Sequence, residues 1–165
     1  MQWSDAYRIG VPVIDTDHQL LFALTAQLAE AREEGQTREV VGSVMNVLVE
    51  YIVHHFRREE RLLQLVEYPE LNEHKKGHRQ LTGDVFALLD RWQDGKHGAA
   101  DELVSLMDGW LAGHILGVDT RYKPWVEKTL SDKTGAKATE SNWAILEMDF
   151  QDWDTGVDDQ RGLGN

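Results

Sequence analysis

Leu71-Asn72-Glu73-His74-Lys75-Lys76-Gly77-His78-Arg79-Gln80-Leu81-Thr82-Gly83-Asp84-Val85-Phe86-Ala87-Leu88-Leu89-Asp90-Arg91-Trp92 is the stretch that decides the fold. Within it Leu71, His74, His78, Leu81, Val85, Leu88 and Trp92 follow one another at alternating steps of three and four. On an α-helix those positions form a single seam of the kind that faces a helix bundle. His74 and His78 lie in that seam one turn apart, on the same face. The spacing therefore predicts a helix over about 70–94 whose inner face carries two imidazoles. A buried imidazole without a partner is costly, so the rest of the chain has to supply one.

The same period runs outward in both directions. A helix over about 37–66 has Val44, Leu48, Ile52, His55, Glu59 and Leu62 or Leu63 on its inner stripe, and Pro69 separates it from the next. A helix over about 16–34 aligns His18, Leu21, Thr25 and Leu28, with Asp15, Thr16 and Asp17 as N-cap chemistry and Gly35 as its stop. A helix over about 99–117 turns Leu103, Met107, Trp110, Leu111, His114 and Ile115 inward, after a turn bracketed by Gly95 and Gly98. Gly117 and Pro124 mark its end. No strand-like alternation of useful length and no internal repeat occurs. Four amphipathic helices with short loops read as an all-α, up-down-up-down antiparallel four-helix bundle.

The arm before it, residues 1–15, carries Trp3, Tyr7, Ile9, Val11, Val13 and Ile14 without a clean period, and reads as an ordered loop covering part of the core. Arm and bundle together make one domain over 1–126. Residues 127–165 form an acidic C-terminal extension, nine acidic against four basic residues with no proline. In it Trp143, Leu146, Phe150 and Trp153 have the spacing of a short amphipathic helix over about 142–153. Two readings stay open, a loosely ordered tail and a helix that docks on the bundle or on a protein partner. Two tryptophans on one face favour docking.

With 41% apolar residues, the 165-residue chain has enough for a real core. Its net charge of −12 argues against nonspecific binding to nucleic acid or to an anionic membrane. The absence of cysteine excludes disulfides, thiolate metal sites and cysteine catalysis. The first residues show no basic start or long apolar run, and no stretch approaches the roughly 20 apolar residues of a membrane span. A soluble cytoplasmic protein is expected. The acidic surface favours a monomer, with the oligomeric state left open.

Five of the seven histidines fall on inward stripes: His18, His55, His74, His78 and His114. His55 and Glu59 form a second i,i+4 pair. A single inward histidine is ordinarily a hydrogen-bonded core residue; several converging on one layer need a dense hydrogen-bond network or a metal. His54 shares a mixed stripe with Val47, Arg58 and Arg61, and His97 lies in the Gly95–Gly98 turn, so both are assigned to solvent. Asp119 follows His114 by five residues, about 140° around an ideal helix. It reaches the same centre only if the helix loosens or ends there, which Gly117 permits. Many imidazoles and no thiolate disfavour structural zinc, and seven ligands exceed its usual four. Calcium and magnesium prefer oxygen. Two ions sharing bridging carboxylates fit, with iron the leading candidate.

With those residues in view, the chain resembles the hemerythrins, the bacterial members most of all. The matching stretches are Trp3 with Ile14-Asp15-Thr16-Asp17-His18, then His55-Phe56-Arg57-Arg58-Glu59-Glu60, Tyr68-Pro69-Glu70-Leu71 with His74 and His78, and His114-Ile115-Leu116-Gly117-Val118-Asp119. The resemblance implies a non-haem di-iron centre. His74, His78 and His114 would hold one iron, and His18 and His55 the other, which keeps an open position. Glu59, Asp119 and an oxo or hydroxo group would bridge them, with O2 as the ligand. Leu21, Phe56, Trp110, Leu111 and Ile115 match positions that wall the O2 pocket. Asp17 stands where glutamine is common in the family, and the extension past 126 has no counterpart in its short bacterial members. The implied function is reversible O2 binding for storage, delivery or detoxification, without catalysis. Two alternatives are an oxygen or redox sensor signalling to a partner through the C-terminal tail, and a di-iron peroxidase or oxidase.

Overall fold

The computed structural model describes residues 2–134, with side chains through Asp132. Four helices build the bundle: α1 (Pro12–Glu33), α2 (Arg38–Leu65), α3 (Leu71–Gln93) and α4 (Ala99–His114). α1 packs on α2, α2 on α3, α3 on α4 and α4 back on α1, a closed ring. Tight turns reverse the chain between consecutive helices. At the first and third turns Gly35 (φ 66°) and Gly95 (φ 85°) take the left-handed conformation that lets the next N–H groups reach back to the helix carbonyls. The antiparallel order brings the start of α1, the end of α2, the start of α3 and the end of α4 to one end of the bundle, and those are the segments that carry the inward histidines.

The other end is apolar. Leu28, Met45, Leu48, Val85, Leu103 and Met107 are all but inaccessible there. The α2 stripe differs from its sequence reading at its beginning: Val41 and Met45 are buried, whereas Val44 is only half-buried.

α1 begins earlier than expected, at Pro12 rather than near 16. Proline is favoured in the first helical turn, where its missing N–H has no partner to lose. Asp15 and Asp17 consequently lie inside the helix and cap nothing. Asp15 instead accepts hydrogen bonds from the Ile9 (2.8 Å) and Gly10 (3.0 Å) backbone N–H groups, which ties the arm down. Trp3 and Tyr7 close over Phe22, with ring centroids 5.7 and 4.9 Å from it.

The end of α4 departs most from expectation. The helix does not stop at Gly117. It widens into one π-helical turn, Ile115–Asp119, and continues as α5 (Thr120–Thr134). The boundary at 126 thus falls inside a helix. Pro124 costs α5 about 3 kcal/mol, but Tyr122, Val126 and Leu130 are each at most 1% exposed, and burial of such side chains stabilises by about 1.5–3 kcal/mol apiece. The amphipathic stretch at 142–153 lies outside the described residues. Among the described residues no helix is long and apolar enough to cross a membrane.

Ending the chain after residue 126 removes the buried Leu130 and should cost about 1.5–3 kcal/mol relative to ending it after 134. Urea unfolding of the two shortened chains measures the difference; equal midpoints would place the packing boundary at 126 after all.

Candidate metal centre

Six of the seven residues singled out in the sequence form two clusters that share Glu59. His18, His55 and Glu59 make one group, and Glu59, His74, His78 and His114 the other; within each group the ligand atoms lie within 4.8 Å of one another. Donors around a common ion at 2.0–2.2 Å stand roughly 3–4.5 Å apart, so little adjustment separates this arrangement from coordination. Glu59 Oε2 lies 3.2 Å from Nε2 of both His74 and His78, and 3.9 Å from that of His55.

Asp119 completes the set through the π turn. Hydrogen bonding from i to i+5 brings residues five apart onto one face, which removes the angular offset an ideal helix imposes. Asp119 Oδ1 is 3.1 Å from His114 Nε2 and 3.8 Å from His74 Nε2, and Oδ2 is 3.5 Å from His18 Nε2. Each carboxylate thus faces both histidine groups.

Polar atoms left without partners test whether a cation fits. His18 Nε2 and both oxygens of Asp119, which face the centre, are buried and make no hydrogen bond; the Nδ1 atoms of His18 and His74, on the other side of their rings, are also without a partner. His78 and His114 point their Nε2 atoms at each other across 3.2 Å. A layer this rich in inward lone pairs is satisfied by metal ions and by little else that fits in the space.

Neighbouring carboxylates orient two of the imidazoles. Asp17 Oδ2 lies 3.4 Å from His55 Nδ1, and Asp17 Oδ1 accepts hydrogen bonds from Tyr51 Oη and Arg58 Nη1, both at 2.6 Å. Glu60 Oε1 lies 3.0 Å from His78 Nδ1, and Lys75 stands 3.5 Å from Glu60 Oε2. A carboxylate on Nδ1 keeps the proton there and leaves Nε2 as the inward lone pair. Tyr122, fully buried, donates from its hydroxyl to Glu59 Oε1 at 2.5 Å.

Burial sets the protonation of the layer. It pushes the His18 and His114 imidazoles down to about 3, so both are neutral near pH 7. Burial raises the Glu59 carboxyl, but hydrogen bonds with His74 and His78 more than reverse this and hold it well below the usual range. Burial, reinforced by the Glu59 charge, drives Asp119 up instead. Burial also disfavours charge on His78, yet Glu59 and Glu60 raise it overall.

Of the five pocket residues, Leu21, Phe56, Leu111 and Ile115 are buried and Trp110 is half-buried. Phe56 stacks on His78 (3.7 Å, 6°) and Trp110 on His114 (3.9 Å, 15°), with Phe56 and Trp110 5.6 Å apart. These two rings therefore lie against the three-histidine group, and Phe56 also comes within 5.7 Å of His55. His97 is exposed, as expected. His54 is not: it is half-buried, with Nε2 2.6 Å from Arg58 Nη2, because that arginine folds inward to Asp17. Sequence reasoning missed Tyr122 altogether, although Asp119, Tyr122, Val126 and Leu130 continue a helical stripe at steps of three and four.

The chain as a whole is similar to known proteins. The Hemerythrin HHE cation binding domain matches residues 9–126. A bacteriohemerythrin of Stenotrophomonas maltophilia is 33% identical over 129 residues, 78% of this chain and 83% of its own. A bacteriohemerythrin of Pseudomonas aeruginosa is 30% identical over 146 residues, 88% of this chain and 94% of its own. That match cannot stop at residue 126, so part of the extension has a counterpart there. A myohemerythrin of Riftia pachyptila is 30% identical over 121 residues, 73% of this chain and 89% of its own. A crystal structure of wild-type hemerythrin superposes with a TM-score of 0.72 at 28% identity, covering 76% of this chain and 97% of the other.

Inserting one alanine after Gly117 sets Asp119 six residues after His114, one more than the π turn accommodates, and should swing it by about 100° out of the site. Metal analysis after loading should then show less metal per chain than the parent. Equal occupancy would remove the π turn from the account. Acidity gives a second check, on metal-free protein. His18 and His114 have folded values depressed far below their ordinary 6.5, so between 6.5 and about 3 the unfolded chain takes up protons that the folded one refuses. Their contribution to stability therefore falls as the pH falls through that window, against opposite effects from His78, Asp119 and Asp15, whose folded values are raised. In Asp119→Asn, which removes the main opposing carboxyl, the urea midpoint should be lower at pH 5 than at pH 7; a flat or rising midpoint there would contradict the neutral, buried imidazoles.

Proposed function

The chain belongs to the hemerythrin family, and from that membership together with the site geometry we propose that it binds O2 reversibly at a centre of two iron ions. His74, His78 and His114 would hold one ion, His18 and His55 the other, with Glu59 and Asp119 placed between the two groups. The observation that carries this reading is the position of the two carboxylates, each within 4 Å of imidazole nitrogens from both groups. Two iron ions so held supply the reversible O2 binding.

The protein's own groups do the rest. Asp17 and Glu60 hold the Nδ1 protons of His55 and His78, which fixes the tautomers and aims the Nε2 lone pairs inward. Tyr122 occupies Glu59 Oε1 with its hydroxyl proton, leaving Oε2 among the imidazoles. Leu21, Phe56, Trp110, Leu111 and Ile115 wall the centre with apolar surface, and a dry wall keeps water and free protons out of it. Five imidazoles against two carboxylates supply little negative charge to support highly oxidised iron, which favours carriage over oxygen activation. Storage, delivery and detoxification of O2 are all served by such a site.

Reducing the iron-loaded protein without air, admitting oxygen and then removing it should make a visible charge-transfer band appear and vanish over repeated cycles. A band that never forms, or never reverses, would overturn the carrier reading. Asp17→Asn should lower metal affinity by about 10–100-fold, measured by competition with a chelator. An unchanged affinity would reduce Asp17 to a packing residue.

A further inference from the structure

A line of aromatic side chains leads from the centre to the surface on the side where α5 meets the turn between α2 and α3. The Tyr122 ring is 5.9 Å from that of His74, and its hydroxyl donates to Glu59 Oε1 at 2.5 Å. The Tyr68 ring follows at 6.2 Å from Tyr122, and the Trp125 indole at 6.5 Å from Tyr68. Trp125 is 38% exposed, with its Nε1–H bonded to the Val66 carbonyl at 2.6 Å. If only bulk were needed, phenylalanine would fill the Tyr122 position without bringing a buried hydroxyl that needs a partner. Tyrosine and tryptophan share a property phenylalanine lacks, since each gives up one electron at accessible potentials. Tyrosine must shed a proton to do so, and both tyrosines have a carboxylate in place for it: Glu59 beside Tyr122, and Glu70 Oε2 at 3.3 Å from the Tyr68 hydroxyl. The chain contains no cysteine to intercept an oxidant instead.

We propose that Tyr122, Tyr68 and Trp125 form a relay that carries one-electron oxidising equivalents from the buried centre to the protein surface. The inference rests on the reading of the site as an iron centre. The oxidant is hydrogen peroxide, the two-electron reduction product of the O2 the site handles. Tyr122 passes an electron to the oxidised centre and its proton to Glu59. Tyr68 then reduces Tyr122, which recovers its proton from Glu59, while the Tyr68 proton moves to Glu70. Trp125 in turn reduces Tyr68, which recovers its proton from Glu70, and the indole keeps its N–H on Val66 as a cation radical. A one-electron reductant in solvent, ascorbate for example, restores Trp125. Two passes deliver two electrons, so that one peroxide and two protons become two waters while two ascorbate monoanions become two ascorbyl radicals and release those two protons. The relay spares the imidazoles and Trp110, which lie against the centre, from oxidation.

The test uses the full chain loaded with iron, first shown to cycle its oxygen band, then oxidised and mixed with hydrogen peroxide without reductant. Rapid-freeze electron paramagnetic resonance should show tyrosyl and tryptophanyl radicals, and peptide mass spectrometry should find Trp125 oxidised ahead of Trp110. Tyr68→Phe keeps the ring and leaves the Tyr122–Glu59 bond alone. In it, Trp125 oxidation should fall several-fold, to the level of zinc-loaded protein, which has no redox chemistry at the metal, and damage should shift to Trp110. Should that variant fail to fold, Trp125→Phe serves, with a tyrosyl signal that outlives the parent's. Equal Trp125 oxidation in the parent, in Tyr68→Phe and in zinc-loaded protein would mean direct attack from solvent and would overturn the relay, as would the absence of any aromatic radical. Tyr68-dependent oxidation in a protein whose oxygen band does not reverse would sink the carrier reading and leave the relay standing.

Discussion

Glu59 and Asp119 are both fully buried in one layer of the bundle, and the repulsion between them is the constraint that the surrounding structure answers. Two ionised carboxylates in a dry interior are costly unless paired. Neutral imidazoles answer that repulsion only in part, as with the His74 ring against Glu59. A neutral imidazole has one proton to give, and in His55 and His78 the Nδ1 contacts with Asp17 and Glu60 commit it outward. Their Nε2 atoms then meet the carboxylates as acceptors facing acceptors. Protonating the imidazoles is no remedy for His18 and His114, whose burial keeps them neutral to about 3. Without a cation Asp119 is driven towards its protonated form, whereas two metal ions would bring more positive charge than the two carboxylates bring negative.

The bundle is arranged to make that layer possible. Antiparallel helices bring four segment ends together, so donors from distant parts of the sequence converge without long loops. The polar layer is confined to one end, and the apolar seam of Leu28, Met45, Leu48, Val85, Leu103 and Met107 holds the other. In such a division the metal-binding free energy is also folding free energy for the polar end, while the apolar end keeps the helices in register. The π turn is the one place where the backbone gives way. It sits where His114 and Asp119 must face the same point from a single helix, and α5 then packs Tyr122, Val126 and Leu130 to hold the widened turn in place.

How much of this was legible in the sequence follows from how each signal is carried. α2 and α3 were readable to within a residue or two, because long 3–4 periodicity is bounded by Gly35, Pro69 and Gly95. The convergence of the histidines was readable for the same reason. The start of α1 was not, because its first turn follows an arm rich in apolar residues and Asp15 looks like a cap when it is a latch for that arm. The continuation beyond His114 was hidden by Gly117 and Pro124, both ordinary stop signals that buried contacts override. The π turn leaves no local mark beyond the five-residue interval between a histidine and an aspartate. Missing α5 meant missing Tyr122, and with it the aromatic line through Tyr68 to Trp125.

The supports behind the imidazoles are unequal, and the inequality bears on how the two halves of the centre differ. His55 is backed by Asp17, which is fully buried and held by both Tyr51 and Arg58. His78 is backed by Glu60, which is partly open to solvent and shared with Lys75. His18 and His74 have no partner on Nδ1 at all. A carboxylate on the outer nitrogen makes an imidazole a stronger donor, and its influence is greater where solvent does not screen it. The half of the site with only two histidines thus has the better-shielded support, offsetting the third imidazole it lacks. An ion placed there would have fewer donors but one strong one, which would help the two-histidine half retain it.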